Sequence, residues 1–128
     1  MTLPPYRYAI YFCPKPDSTL GQFGTRWLDS PEVATSIGLN DEEYLELAGP
    51  PRRYGFHGTL KPPFRLASGL LPDALMKSVK ELAGSMSPVE LNGFQVRAIS
   101  SFIAMVPIST PNGLSVLASR CVQDLDNF

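Results

Sequence analysis

Phe94-Gln95-Val96-Arg97-Ala98-Ile99, Ser100-Ser101, Phe102-Ile103-Ala104-Met105-Val106: two runs of β-branched, aromatic and aliphatic residues meet across two serines. Runs of this composition joined by so short a connection predict an antiparallel hairpin. Val89 to Leu91, set off by Asn92-Gly93, forms a further extended piece. Upstream, Leu71, Leu75, Val79, Leu82, Ala83 and Met86 fall on one stripe of a helix from Leu71 to Met86, with Pro72 suited to its first turn. Lys77, Lys80 and Glu81 lie off that stripe. Downstream, Leu114, Leu117, Cys121, Leu125 and Phe128 mark one face of a C-terminal helix introduced by Pro111-Asn112-Gly113. Strands that connect by turns, with helices segregated before and after them, predict an α+β fold: an antiparallel-rich sheet with helices packed on its outer face.

Working back toward the N-terminus, Arg7-Tyr8-Ala9-Ile10-Tyr11-Phe12 predicts a strand over Tyr6 to Cys13, stopped by Pro14 and Pro16. Asp17 or Ser18 caps a helix in which Leu20, Phe23, Trp27 and Leu28 recur at helical spacing, ending at Asp29-Ser30-Pro31, with Gly21 and Gly24 lowering its intrinsic propensity. From Ser30 to Asn40 no period survives, and Asp41 to Leu47 predicts a short acidic helix closed by Gly49-Pro50-Pro51. Tyr54 to Lys61 returns to strand character, which Pro62 and Pro63 make an edge, bulged or terminating strand, and Phe64 to Ala67 starts a new extended segment.

The 128 residues, 14.0 kDa, amount to a single domain spanning 1–128, and 44% apolar content excludes wholesale disorder. No apolar run reaches the roughly 18–20 residues that cross a bilayer, so a membrane partner is not expected. Eleven basic against twelve acidic residues give a net charge of −1, which supplies no field for duplex nucleic acid. Met1-Thr2-Leu3-Pro4 lacks the layout of a secretory leader, and the two cysteines lie far apart, so a reducing cytoplasm is the expected location. A single histidine and two separated cysteines build no zinc site, so no metal is expected.

Chemistry concentrates in Pro51-Arg52-Arg53-Tyr54-Gly55-Phe56-His57-Gly58-Thr59-Leu60-Lys61. On a strand, Gly55, His57, Thr59 and Lys61 share one face, while Phe56, Gly58 and Leu60 take the other. An imidazole, a hydroxyl and an ammonium side by side suit proton transfer at a phosphodiester. The plain alternative is a half-buried histidine bonded to backbone. Arg52 and Arg53 read first as a solvated loop, with an anion contact as the alternative, and Tyr6, Tyr8 and Tyr11 as core aromatics of a strand, with a cleft lining as the alternative. Cys13 and Cys121 read as small core residues, each without an adjacent base.

His57-Gly58-Thr59-Leu60 resembles the H-x-S/T-x signature of the two-histidine (2H) phosphoesterase superfamily. With Arg7 to Phe12, Phe23-Gly24, Trp27-Leu28 and Pro51 to Leu66, essentially the whole chain is similar to the branch of that superfamily associated with bacterial phosphonate-metabolism operons. The resemblance implies a two-lobed fold in which each lobe contributes one such motif on an antiparallel sheet. It implies that His57 is one of two acid–base histidines, that Thr59 binds the phosphoryl group, and that a small cyclic phosphate or nucleotide phosphodiester is hydrolysed without metal or other cofactor. Lys61, Arg53 and Tyr54, beside the motif, are assigned as substrate contacts by charge and position. Members of the family are longer, and no second histidine is present here, so the expectation is an N-terminal lobe without its C-terminal counterpart. Acid–base catalysis contributes commonly about 10²–10⁴-fold, so a chain with half the pair is expected to be a weak or inactive catalyst. A homodimer supplying His57 twice is one variant; a non-catalytic phosphate- or nucleotide-binding module and an inactive truncated lobe are the other readings.

Overall fold

A computed structural model describes residues 6–128, so the leader reading of Met1 to Pro4 concerns positions outside the described residues. In chain order the elements are β1 (Arg7–Phe12), α1 (Thr19–Asp29), α2 (Pro31–Ser36), α3 (Asp41–Arg52), β2 (Gly58–Arg65), α4 (Pro72–Gly84), β3 (Phe94–Ile99), β4 (Phe102–Pro107) and α5 (Asn112–Gln123). The fold is α+β, as the sequence predicts. Its strands form two separate two-stranded sheets among the described residues, β1 with β2 and β3 with β4. Contacts divide the chain into two compact units, one of Met1–Ile10 and Thr59–Phe128, the other of Tyr11–Gly58. No helix among the described residues is long and apolar enough to cross a membrane.

In the first unit, the apolar stripes of α4 and α5 do what their periodicity requires. Leu75, Leu82, Cys121 and Leu125 are buried together, flanked by Tyr8, Ile10, Leu60, Phe64, Val79, Leu117 and Phe128. Each fully buried leucine contributes about 1.5–3 kcal/mol. The chain end is tied in by the amide of Ala67, which donates to the carbonyl of Phe128. β2 runs through Pro62 and Pro63 instead of ending before them. With β1 as its neighbour in a two-stranded sheet, β2 keeps an open edge among the described residues, and because successive residues alternate sides, one of the two prolines directs its missing N–H there at no cost in ladder bonds. The β3–β4 hairpin has the predicted pairing, from Phe94 opposite Pro107 to Ile99 opposite Phe102. Ser100 turns it with a left-handed φ of 52°, the sense that two-residue hairpin loops demand. Val89 to Leu91 is not a strand; Val89 instead lies over Gly113, at the start of α5.

In the second unit, Ser18 caps α1 by accepting from the Gly21 amide at 3.0 Å. Gly21 and Gly24 weaken the helix intrinsically, yet both are buried because other groups press on them. A Cβ at Gly21 would run into the Lys15 carbonyl, and one at Gly24 into the Phe56 ring. The six-residue α2 begins at Pro31 in a stretch whose sequence shows no period, being too short to express one. α3 starts with a reciprocal capping box between Asn40 and Glu43. It continues to Arg52 through Pro50 and Pro51, beyond the predicted stop at Leu47. Both prolines fall in the last turn, where the lost donors disturb a single turn.

Two α3 side chains explain why that extra turn persists. The hydroxyl of Tyr44, which is 2% exposed, donates to the Trp27 carbonyl at 2.6 Å, and the Arg52 Nε donates to the Leu28 carbonyl at 2.6 Å. Both acceptors belong to the last turn of α1, whose carbonyls have no helical partner of their own. Arg52 also pairs with Asp29 at 3.3 Å and lies 5.8 Å above the Tyr44 ring, which stands edge-on to Trp27. The arginine therefore fastens α3 to α1. Ala34, Tyr44 and Ala48 form the buried centre of this unit, with Leu39 packed against them.

Candidate functional site

His57 precedes β2 and does not lie on it, contrary to the strand expected from Tyr54. The reason is the turn that follows α3. The amides of Tyr54 and Gly55 donate to the carbonyls of Pro51 and Arg52 at 3.1 and 3.2 Å, and Gly55 takes a φ of +76° that side-chain-bearing residues rarely adopt. That conformation presents the Gly55 carbonyl to the imidazole, whose Nδ1–H donates to it at 2.8 Å. A carbonyl only accepts, so Nδ1 carries the proton. In the neutral ring Nε2 then holds the free lone pair.

The ring is also held from its face. His57 stacks on Tyr11 with centroids 3.9 Å apart and planes 23° from parallel, while Tyr54 stands edge-on at 6.5 Å. The residue before the histidine is anchored as well: Phe56 lies on Gly24 and meets Phe23 edge-on at 6.2 Å. The arrangement supplies one oriented imidazole nitrogen that can accept a proton and return it.

The remaining sequence candidates are distributed unevenly. Tyr54 is brought to His57, and Arg53, the exposed C-cap of α3, adjoins them in the chain. Thr59, two residues beyond the histidine, is exposed at the start of β2. Lys61 departs from the shared exposed face that strand alternation predicts. It is 8% exposed, its Nζ donates to the Leu125 carbonyl at 2.9 Å, and it lies 4.5 Å from the Phe64 ring centroid. The lysine serves the packing of the first unit, its charge satisfied by a carbonyl and an aromatic face. Tyr11, which stacks on His57, is the residue for which sequence reasoning weighed a cleft lining and favoured the core. Nothing local in the sequence told an aromatic stacked on the histidine from a buried one.

Cys121 is buried, as predicted, and burial followed by the nearby Asp124 pushes its thiol pKa up, so it is no ready nucleophile. Cys13 is exposed, contrary to the core reading, because β1 ends one residue before it.

Residues 59–128, more than half of the chain, match the family described as "Protein of unknown function (DUF1045)". The chain belongs to this family. Thr59 is the first matched residue of the DUF1045 segment. The DUF1045 chain is also 33% identical over 127 residues to a "Ribose 1,5-bisphosphate phosphokinase PhnN" of Janthinobacterium sp. (strain Marseille), covering 94% of this chain and 28% of that protein. It is 31% identical over 132 residues to a protein of the same description from Laribacter hongkongensis (strain HLHK9), covering 94% and 30%. The chain thus spans less than a third of the length of these curated relatives. No solved structure matches it.

Proposed function

We propose that this DUF1045 chain carries one half of a phosphoesterase site of the two-histidine kind, acting on a small phosphorylated substrate. The observation that supports this most directly is the His57 ring, oriented by the Gly55 carbonyl and Tyr11 so that Nε2 is the nitrogen left to exchange a proton. In the proposed step, Nε2 takes a proton from a water as its oxygen bonds to phosphorus. The bond from phosphorus to the leaving oxygen breaks, and that oxygen is protonated by a second acid. Thr59, the third residue of the His57-Gly58-Thr59 motif, donates its hydroxyl to a phosphoryl oxygen, and Arg53 supplies positive charge. Tyr54 borders the substrate beside the imidazole. Lys61 holds the first unit together through Leu125. No metal enters the scheme, following the resemblance.

The chain has a single histidine, so the second acid comes from another polypeptide segment, from a twofold-related copy, or inefficiently from water. The relatives' description names a phosphorylated pentose, which fits a small phosphate ester, and the association with phosphonate use rests on the superfamily branch the sequence resembles. A kinase reading of this segment lacks its usual phosphate loop: the pattern G-x-x-x-x-G-K-S/T does not occur in the 128 residues. A second reading, binding without turnover, is favoured by the same lone histidine.

Proton NMR of the imidazole, unconfused by any other histidine, tests the proposal. At fixed pH the ring resonances are expected to shift on addition of inorganic phosphate and of a 2′,3′-cyclic nucleotide, with Thr59→Ala weakening the response. Slow hydrolysis of the cyclic nucleotide, abolished in His57→Ala, supports catalysis; a shift without product supports the binding module. A ring indifferent to both ligands refutes the site.

A further inference from the structure

Two rows of side chains run next to each other along α1. Phe23 and Trp27 make one, Gln22 and Arg26 the other, each pair four residues apart and therefore stacked on the same helical face. Together with Thr19 at the start of the same helix and Val33 and Ser36 of α2, within the Tyr11–Gly58 unit, they line a groove of about 460 Å³. That volume is in the range of small-molecule sites, which pair apolar and aromatic walls with a few convergent polar groups.

The polar groups of the groove are not equivalent. The Gln22 Nε2 is turned toward the Asp17 carbonyl at 3.4 Å, and the Ser36 hydroxyl is spent on the Val33 carbonyl at 2.7 Å. Arg26 makes no ion pair among the described residues, unlike Arg52 and Arg120. Trp27 is half-buried against Tyr44, edge-on at 6.4 Å, and its indole N–H has no acceptor among the described residues. One aromatic row, one guanidinium fork and one indole-bearing side chain thus line a groove whose one charged lining residue is Arg26. A flat ring fits the aromatic row, and a carboxylate on its edge meets two kinds of donor.

We propose that the α1–α2 groove binds a planar aromatic acid, its ring against Phe23 and Trp27 and its carboxylate on Arg26 and the Trp27 indole N–H. The site is separate from His57 and stands whether or not the phosphoesterase reading does.

Trp27 is the only tryptophan, so its indole N–H gives a single resolvable NMR cross-peak. The test titrates the intact 128-residue chain with 2-naphthoate and, separately, with the neutral 2-naphthylmethanol. Naphthoate is expected to shift the indole peak saturably, and Arg26→Gln to weaken it about tenfold, while binding of the alcohol is weaker and unchanged by that substitution. Arg26→Lys, which keeps the charge and loses the fork, is expected to fall between. An indole peak unmoved by millimolar naphthoate overturns the proposal. So does equal binding of both probes, or an Arg26→Gln chain of unaltered affinity whose thermal midpoint matches the parent. The indole reports on this groove and the imidazole on the other site, so each reading fails by its own signal.

Discussion

Replacing Gly24 with alanine puts two opposed effects in one methyl group. In an unencumbered helix interior the change stabilises by about 1 kcal/mol, because glycine loses more backbone freedom and alanine is the best helix former. Here the new Cβ would overlap the Phe56 ring at Cγ and Cδ1 and come within 2.6 Å of the Phe56 Cβ, where carbon atoms at rest keep about 3.5–4.0 Å apart. A ring blocked at its own Cβ cannot escape by rotating about χ2, so the backbone at Phe56 must move. Overpacking of this kind costs about 1–3 kcal/mol, and the geometry places the cost at the upper end, leaving a net loss of about 2 kcal/mol. Urea denaturation of Gly24→Ala, of Phe56→Ala and of the double variant measures it. With the ring gone the methyl has room, so Gly24→Ala is expected to become neutral or stabilising in the Phe56→Ala background, a coupling of about 2–3 kcal/mol. The same displacement pulls on His57, and the ring-current shift it receives from Tyr11 is expected to change in the single variant. A Gly24→Ala chain as stable as the parent, with an unshifted imidazole, refutes the claim that Phe56 on Gly24 anchors the histidine.

Three further outcomes follow from contacts described above. Lys61→Met is expected to destabilise the chain by about 1–3 kcal/mol in denaturant titration, since it leaves the Leu125 carbonyl without its donor; an unchanged midpoint would remove the structural role given to the lysine. Tyr44→Phe removes only the hydroxyl that caps the Trp27 carbonyl and is expected to cost about 1 kcal/mol, with faster amide exchange in the last turn of α1 as the local check. The raised pKa of the Cys121 thiol means that the folded chain holds this proton more tightly than the unfolded one. That contribution is complete below the ordinary thiol value of about 8.5 and is lost as the pH climbs through the raised one. Stability measured from pH 8 to 10 should therefore fall less steeply in Cys121→Ala than in the parent, and parallel slopes would count against it.

Elements whose signal is local were legible. The α1 cap at Ser18, the stripes of α4 and α5 and the antiparallel pairing of β3 with β4 all follow from spacing within a dozen residues. What escaped depends on distant partners. Pro50 and Pro51 look like a helix stop until Arg52 is seen bonded to Leu28. Lys61 reads as a surface charge because its acceptor, Leu125, lies far along the chain. At the candidate site the motif located His57 and Thr59, but strand alternation gave the wrong setting for the histidine. The left-handed Gly55 and the stacked Tyr11 orient it, and neither follows from alternation.

The stretch from Arg53 to Gly55 is tethered at both ends to the same helix, by Arg52 on the Leu28 carbonyl and by Phe56 on Gly24. A loop closed over so few residues has little configurational entropy left to lose. An anion meeting the imidazole beyond it would therefore find the ring already in place, and the free energy of that encounter would be spent little on ordering the protein. For a chain that spans less than a third of the length of its curated relatives, this makes the setting of His57 a property of contacts carried by α1 and α3 themselves.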